Sequence, residues 1–148
     1  WHTAMAFNSE CVDGSTLCGS SINDTHQGIC PNGWHIPSKE DWNTLAIAVN
    51  GIANSTFPND YDLAGLDLKS LEFGGENNFG FNGLGVGVVY SLLGEYSADE
   101  VAVHYWESTE KSTSGAASRQ LSVNHASLQR YDFDNSKKDG ISIRCLKD

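Results

Sequence analysis

The chain has 148 residues, of which 39% are hydrophobic, and its nineteen acidic and nine basic side chains give a formal net charge of −10. This length and composition indicate one folded domain and argue against a disordered chain. Nucleic acid and anionic membrane surfaces are disfavoured as partners because phosphate binding needs clustered Lys and Arg. No apolar run approaches the roughly 18 residues of a membrane span.

The first thirty residues are expected to hold a strand followed by a long loop. Residues 1–10 resemble a strand at their beginning, and residues 11–29 are rich in Gly, Ser and Asn, which favours a loop. The sequence starts at Trp1, with no signal peptide and no initiator Met. We therefore expect a processed or truncated product whose first strand is incomplete.

Four cysteines, Cys11, Cys18, Cys30 and Cys145, allow three disulfide pairings. The short gap between Cys11 and Cys18 suits a local loop closure, which would leave Cys30 to pair with Cys145. None of the four has the spacing of a zinc site. Two disulfides would imply an oxidising compartment, so we expect an extracellular or cell-surface protein.

One helix is predicted after the turn at residues 31–33. Ser38 is a good N-cap, and Asp41 follows three residues later as an imperfect capping box. Apolar residues then recur with helical spacing at Trp42, Leu45, Ala46 and Val49. Asn50 and Gly51 predict the end of this helix.

The second half of the sequence is predicted to be β-rich. Beyond a polar loop at residues 52–63, Leu66, Leu68 and Leu71 predict a short strand or turn. Residues 74–87 contain six Gly, so the backbone there must turn sharply or approach another segment closely. Alternating apolar residues then predict antiparallel strands around Val86–Tyr90, Val101–Tyr105, Leu121–Val123, Tyr131–Phe133 and Ile141–Cys145.

Several segments resemble one known family. Residues 30–42, CPNGWHIPSKEDW, resemble the "CPxGWHLPSxxEW" signature of the Fibrobacter succinogenes major paralogous domain, and the ending ISIRCLKD resembles its "SVRCVKD". Residues 105–110, YWESTE, are similar to "FWSSTE", residues 79–84, FGFNGL, to "YGFSALP", and residues 1–5, WHTAM, to "WYTAM". The segment "GRLYT" that usually comes before the last of these motifs is absent.

This resemblance implies a fold similar to C-type lectins and to formylglycine-generating-enzyme domains. We therefore expect residues 1–148 to form a single α+β domain, with an early helix packed on a twisted antiparallel sheet, long Gly-rich loops and two disulfides. Cys145 lies in a family motif at a position expected to form a disulfide. The resemblance therefore also supports the disulfide pairs Cys11–Cys18 and Cys30–Cys145.

The residues of these motifs are interpreted as structural. We expect the large aromatic residues Trp34, Trp42 and Trp106 to fill the core. His35 is expected to be half-buried and hydrogen-bonded, and Glu110 to accept hydrogen bonds in a turn. Arg144 is expected to pair with a carboxylate across the sheet.

The candidate chemistry favours a non-catalytic domain without a cofactor. The related formylglycine-generating domains use a reactive cysteine pair, whereas here the pairing leaves no free thiol, and no nucleophile-elbow pattern is present. The acidic segments Asn59–Asp62 and Tyr131–Asn135 are interpreted as solvated turns, with a structural calcium ion as the alternative. The "EPN" and "QPD" signatures of calcium-dependent lectins are absent.

Binding is the predicted function. We expect a surface-exposed binding or adhesion module for a glycan or protein partner, with its contact face in the Gly-rich lobe at residues 74–99. The candidate contact residues are Glu76, Asn77, Asn78 and Phe79, with Asp60 and Tyr61 as a second location. The alternative is a structural or assembly subunit of a surface filament or complex, capable of self-assembly and completed by an upstream segment.

Overall fold

A computed structural model describes residues 1–7, 11, 16–57, 59–91, 95–97 and 101–148. These residues form a 3-10 turn at Gly19–Ser21 and two α-helices, α1 (Lys39–Ala48) and α2 (Ala64–Leu68). They also form nine strands: β1 (Trp34–His35), β2 (Ile52–Ala53), β3 (Tyr61–Asp62), β4 (Val88–Tyr90), β5 (Glu95–Ser97), β6 (Ala102–Glu110), β7 (Gly115–Ser122), β8 (Gln129–Ser136) and β9 (Leu146–Lys147). Parts of the predicted N-terminal strand, of the loop at residues 11–29 and of the lobe at residues 74–99 lie outside the described residues.

The main sheet is antiparallel and has the order β6–β7–β8. Its register places Val103 opposite Leu121 and Ser118 opposite Tyr131. Three two-stranded antiparallel pairs accompany it in the described residues, namely β1–β9, β2–β3 and β4–β5. The predicted α+β class with antiparallel sheets is therefore confirmed.

Helix α1 begins and ends where its sequence predicts. The Asp41 amide donates to Ser38 Oγ at 3.2 Å, and the Ser38 amide donates to Asp41 Oδ2 at 2.8 Å, which completes a capping box. After the helix, Asn50 adopts a left-handed conformation with φ 62°, which Asn tolerates better than most residues. Trp42 and Ala46 are buried on the inner face.

The core is divided between two clusters of buried side chains. The first joins α1 and α2 to the main sheet and comprises Trp42, Ala46, Val49, Tyr61, Ala64, Leu68, Phe73, Val103, Tyr105, Leu121 and Leu128. The second includes Trp1, Met5, Ile36 and Trp106 and lies beside Cys30. The early helix therefore packs on the antiparallel sheet, as predicted.

Both predicted disulfides are confirmed. Cys11 is bonded to Cys18 and closes a local loop, whereas Cys30 is bonded to Cys145 across 115 positions of sequence. The long-range bond joins the segment before β1 to the segment before β9. It therefore supports the pairing of these two short strands.

A helical turn forms at the start of the chain, where a strand was predicted, and α2 forms where a short strand or turn was predicted. In the described part of residues 1–10, the Met5 amide donates to the Trp1 carbonyl at 2.9 Å, and the Phe7 amide donates to the His2 carbonyl at 3.2 Å. Trp1, Ala4 and Met5 are all buried, and their spacing is that of a helical turn rather than of a strand. Likewise, the segment containing Leu66 and Leu68 forms α2.

The prediction for the last strand was only partly correct. Residues 141–145 make a single parallel bridge to β6, between Tyr105 and Ser142, and an antiparallel strand forms only at β9. Trp34 also differs from its prediction, because it is 38% exposed rather than in the core. In β1, successive side chains point to opposite faces, so burial of His35 leaves Trp34 on the solvent side.

Candidate functional site

The Gly-rich loop at residues 74–87 is anchored to α2 by backbone hydrogen bonds. The Glu76 amide donates to the Leu66 carbonyl at 2.8 Å, and the Gly83 amide donates to the Leu68 carbonyl at 2.9 Å. The loop is therefore held at both ends on one short helix, which gives its tip a defined position.

Close backbone approach explains part of the glycine content of the loop. A Cβ added to Gly75 would lie 2.4 Å from the Lys69 carbonyl oxygen, which no side chain tolerates. Gly80 adopts φ 70° in open space, a conformation that glycine adopts without strain. The prediction of sharp turns and close approach is confirmed at both positions.

Asn77 and Asn82 close the tip of the loop. The Asn82 amide donates to Asn77 Oδ1 at 2.8 Å, and both residues are left-handed, with φ 50° at Asn77 and φ 56° at Asn82. Asn77 is therefore committed through its side-chain oxygen to the structure of the loop. The segment between the two asparagines is presented as a closed turn.

The tip presents an aromatic ring beside polar groups. Phe79 is 53% exposed, and Glu76 and Asn78 are also exposed. Asn78 Nδ2 donates to Glu76 Oε2 at 2.9 Å and to Asp67 Oδ1 at 2.6 Å, which ties the tip to α2. This arrangement offers a ring for stacking and a carboxylate and an amide for hydrogen bonds to a ligand.

The second predicted location, at Asp60 and Tyr61, has a different character. Tyr61 is only 7% exposed and packs in the first core cluster, so it is not the surface contact residue that the sequence predicted. Asp60 Oδ1 accepts a hydrogen bond from the Arg130 amide at 2.7 Å, and partial burial raises the pKa of this carboxyl group. Both residues serve to attach β3 to β8.

The structure does not join the two predicted locations into one site. Residues 60–61 lie at β3, which precedes α2 in the chain, whereas residues 76–79 are bonded to the helix itself. Within the described residues, no hydrogen bond connects the two groups. The Gly-rich loop is therefore the better candidate for ligand contact.

The two acidic segments that could have held calcium are brought together, and the charge of Asp132 is matched by protein cations. Asn59 Nδ2 donates to Asp132 Oδ2 at 3.0 Å, while Lys111 Nζ lies 3.0 Å from Asp132 Oδ1 and Arg130 also pairs with this carboxylate. Burial acts to raise the pKa of Asp132, but the two cations outweigh it and lower the pKa. Among the described residues, no group of three or more His, Cys, Asp or Glu is placed to hold a metal ion.

Sequence reasoning missed a buried charge network centred on Glu107. Arg130 Nη2 donates to Glu107 Oε1 at 2.6 Å, and Arg119 Nε donates to Glu107 Oε2 at 3.1 Å. Arg119 continues to Asn43 Oδ1 of α1 at 2.9 Å. The signal in the sequence was a charged residue within or beside a predicted strand, and such a residue does not reveal its partner. Because Arg119 lies in β7 and Asn43 lies in α1, this buried network connects α1 to the main sheet.

The predicted hydrogen bonding of His35 and Glu110 is confirmed, although His35 is buried rather than half-buried. His35 is buried and lies 2.6 Å from Asp148 Oδ1 and 3.3 Å from Asp41 Oδ2 through its two ring nitrogens. Glu110 accepts hydrogen bonds from the backbone amide of Cys18 at 3.1 Å and from that of Gly19. Glu110 also pairs with the buried Lys137 ammonium, which the sequence did not predict.

Arg144 does not pair with a carboxylate, contrary to the prediction. Its Nη2 donates to the Phe81 carbonyl at 2.6 Å, and its guanidinium carbon lies 4.2 Å from the centroid of the Phe81 ring. Among the described residues, Arg144 has no ion pair. Arg144 therefore contacts the Gly-rich loop through Phe81 rather than a strand that bears a carboxylate.

Two further observations bear on the classes of function. All four cysteines are in disulfides, so no thiol is available as a nucleophile. None of the described helices has both the length and the apolar character needed to cross a membrane.

Comparisons with known proteins place the chain in a family. A search of curated proteins and a search of solved structures each found no match. The family model described as the Fibrobacter succinogenes major domain matches residues 4–147. This match covers nearly the whole chain, in agreement with the motifs at residues 30–42 and 141–148. The chain therefore belongs to the Fibrobacter succinogenes major domain family.

Proposed function

We propose that this domain is a non-catalytic, extracellular or cell-surface binding module with a C-type-lectin-like arrangement. Two disulfides support an oxidising location. One main helix packed on an antiparallel sheet, with long loops and a bond from Cys30 to Cys145, supports this arrangement. In such a fold the strands and helices form the core, so the loops carry ligand contact.

The observation that carries the proposal is the exposure of Phe79 on an anchored loop. An exposed ring on a loop that is hydrogen-bonded on either side of it loses little conformational entropy when a ligand stacks on it. Glu76 and Asn78, on the same tip, supply a carboxylate and an amide within one closed turn. A ring flanked by such groups fits the apolar face and the hydroxyl groups of a sugar, so a glycan is the ligand that we propose.

A glycan array probed with the soluble domain tests this function. We expect binding to a restricted set of glycans, and Phe79→Ala should abolish it while the thermal midpoint changes by no more than a few degrees. Phe57→Ala is the matched control, because Phe57 is 63% exposed on the loop between β2 and β3. Equal binding by the wild type and Phe79→Ala would place the ligand elsewhere, and an empty array would favour a protein partner.

The second candidate function is a structural or assembly subunit of a surface filament or complex. It is favoured by the β1–β9 pair, which is two residues long in each strand, exposes Trp34 and Leu146, and adds no third strand among the described residues. A strand from a neighbouring segment would extend this pair. Sedimentation measured against protein concentration tests it: self-association that Trp34→Lys removes would support assembly, and a monomer at all concentrations would contradict self-assembly.

A further inference from the structure

A second concave feature lies between the start of α1, the Gly-rich loop and the segment that leads into β9. Its volume is about 190 Å³, and it shares none of the residues assigned above to glycan contact. Its lining is mostly apolar, with Trp42, Leu45, Phe81 and Leu146 among its residues, and its two charged residues are Arg144 and Asp41. We call this feature the Arg144 pocket.

The size of the Arg144 pocket fits one large side chain. An apolar cavity of about 150 Å³ holds a benzene molecule, so 190 Å³ accommodates a phenyl ring or a branched aliphatic group. An oligosaccharide is poorly matched, because the walls are mostly hydrocarbon and offer few hydrogen-bonding groups to its hydroxyls.

Arg144 places an exposed cation at the pocket, and this cation forms no ion pair among the described residues. Arg144 is exposed, and one of its N–H groups donates a hydrogen bond to the Phe81 carbonyl. The other N–H groups of its guanidinium can donate to a ligand. Asp41 also borders the pocket, but its Oδ2 accepts hydrogen bonds from the amide and the hydroxyl of Ser38 and contacts His35. Because Arg144 forms no ion pair among the described residues and borders an apolar pocket, it favours an anionic ligand there.

Trp42, which lines the pocket, is 2% exposed, and its indole Nε1 is buried without a hydrogen-bond acceptor among the described residues.

We propose that the Arg144 pocket docks a peptide segment of a partner protein in which a large apolar side chain is followed directly by a carboxylate-bearing residue. The apolar side chain enters between Trp42, Leu45 and Leu146, and the carboxylate pairs with Arg144. Arginine suits this role because its planar fork binds a carboxylate through two parallel hydrogen bonds. The Phe81 ring stacks beneath the guanidinium and holds it at the rim.

Isotope-labelled full-length chain and three short capped peptides test this proposal. The peptides carry Phe-Asp, Phe-Asn or Ala-Asp between flanking glycines, and nitrogen–proton correlation spectra report binding through the indole signal of Trp42 and the amides of residues 144–146. We expect the Phe-Asp peptide to shift these signals and to bind at least about 10-fold more tightly than either of the others, since a charge-assisted hydrogen bond contributes about 1.5–3 kcal/mol.

Two variants separate the pocket from general charge effects. Arg144→Gln should reduce the affinity for the Phe-Asp peptide about 10-fold and leave that for the Phe-Asn peptide unchanged. Lys147→Gln removes the same charge from an exposed neighbour that does not line the pocket, and it should leave both affinities unchanged. Equal affinity for Phe-Asp and Phe-Asn, equal effects of the two variants, or shifts confined to residues 76–79 would each overturn the proposal. Glycan binding at Phe79 could fail without affecting any of these outcomes.

Discussion

Glu107 and Arg119 form an ion pair with no solvent contact, in which Arg119 Nε donates to Glu107 Oε2 at 3.1 Å and both side chains are 0% exposed. Burial lowers the pKa of Arg119, and the charge of Glu107 opposes this effect. At Arg130 burial also acts to lower the pKa, but hydrogen bonds and charges from Glu107 outweigh it and raise the pKa. Glu107 is therefore shared by two largely buried guanidinium groups, of which Arg130 also pairs with Asp132.

Removal of this carboxylate should be strongly destabilising. Because Glu107→Ala leaves the buried Arg119 without its counter-charge and leaves Arg130 paired only with Asp132, we expect a loss of about 3–5 kcal/mol in the free energy of unfolding. Urea denaturation measures it. Asp24→Asn removes an exposed carboxylate and should change stability by less than about 0.5 kcal/mol. A loss below about 1 kcal/mol for Glu107→Ala would show that the network contributes little to stability.

The four tryptophans provide a matched pair for testing the core. Trp42→Ala deletes a side chain that is 2% exposed, and we expect it to cost more than about 3 kcal/mol. Trp34→Ala deletes the same atoms at a position that is 38% exposed, so the loss should be clearly smaller. Denaturant midpoints of the two variants give the comparison. Similar losses would contradict the assignment of the inner face of α1.

Glu110 should make part of the stability depend on acidic pH. Burial acts to raise its pKa, but the Lys137 ammonium and the amides of Cys18 and Gly19 outweigh it, so the pKa in the folded state lies below 4.5. A carboxyl group whose folded pKa is depressed stabilises the fold above its unfolded pKa, and this contribution is lost as the pH falls through the folded pKa.

Urea denaturation of the wild type and Glu110→Gln between pH 3 and 7 measures this contribution. The stability difference between the two proteins should be largest above the ordinary pKa of 4.5 and should shrink as the pH falls below it. Glu40→Gln, at an exposed position of the first turn of α1, serves as the control. A difference that is independent of pH would mean that the charge of Glu110 is not what stabilises this turn.

The two disulfides should differ in their contribution to stability. On the loop-entropy model, the Cys30–Cys145 bond contributes about 4–5 kcal/mol and the Cys11–Cys18 bond about 2–3 kcal/mol, because the first closes a far longer loop. Paired Cys→Ser variants, compared in thermal or urea unfolding, give these values. Equal losses would contradict the entropic explanation, and non-reducing peptide mapping that joined Cys18 to Cys30 would contradict the pairing itself.

Stability and ligand contact can be separated within the Gly-rich loop. Asn78 donates to the buried carboxylate of Asp67, so Asn78→Ala should cost about 1–2 kcal/mol. The Glu76 side chain is exposed, and Glu76→Ala should stay within about 0.5 kcal/mol. Thermal unfolding of both single variants and of the double variant measures this. If the double variant collapses well beyond the sum of the single losses, the loop supports the fold as a unit.

Local signals in the sequence determined α1, the turns and most of the strands. A cap residue, a helical stripe and an Asn-Gly stop act within one or two turns of chain, so Ser38, Trp42 and Asn50 could be interpreted without knowledge of the rest. The family motifs and the spacing of Cys11 and Cys18 also determined the disulfides. The sharp turns of the loop at residues 74–87 were predicted for the same reason, because glycine indicates a local backbone requirement.

Only the tertiary structure decided which residues are buried and with what they pair. Trp34 was expected in the core and is exposed, whereas Tyr61 was expected at the surface and is buried. In a two-residue strand the buried face depends on the partner strand and not on the periodicity of the sequence. The pairing of Glu107 with Arg119 and the exposure of Arg144 at an apolar pocket depend likewise on segments far apart in the chain. The residues next to a charged side chain in the sequence do not indicate its ion-pair partner. The hydrogen bonds of a turn or a helix cap, in contrast, are made by residues that are close in sequence.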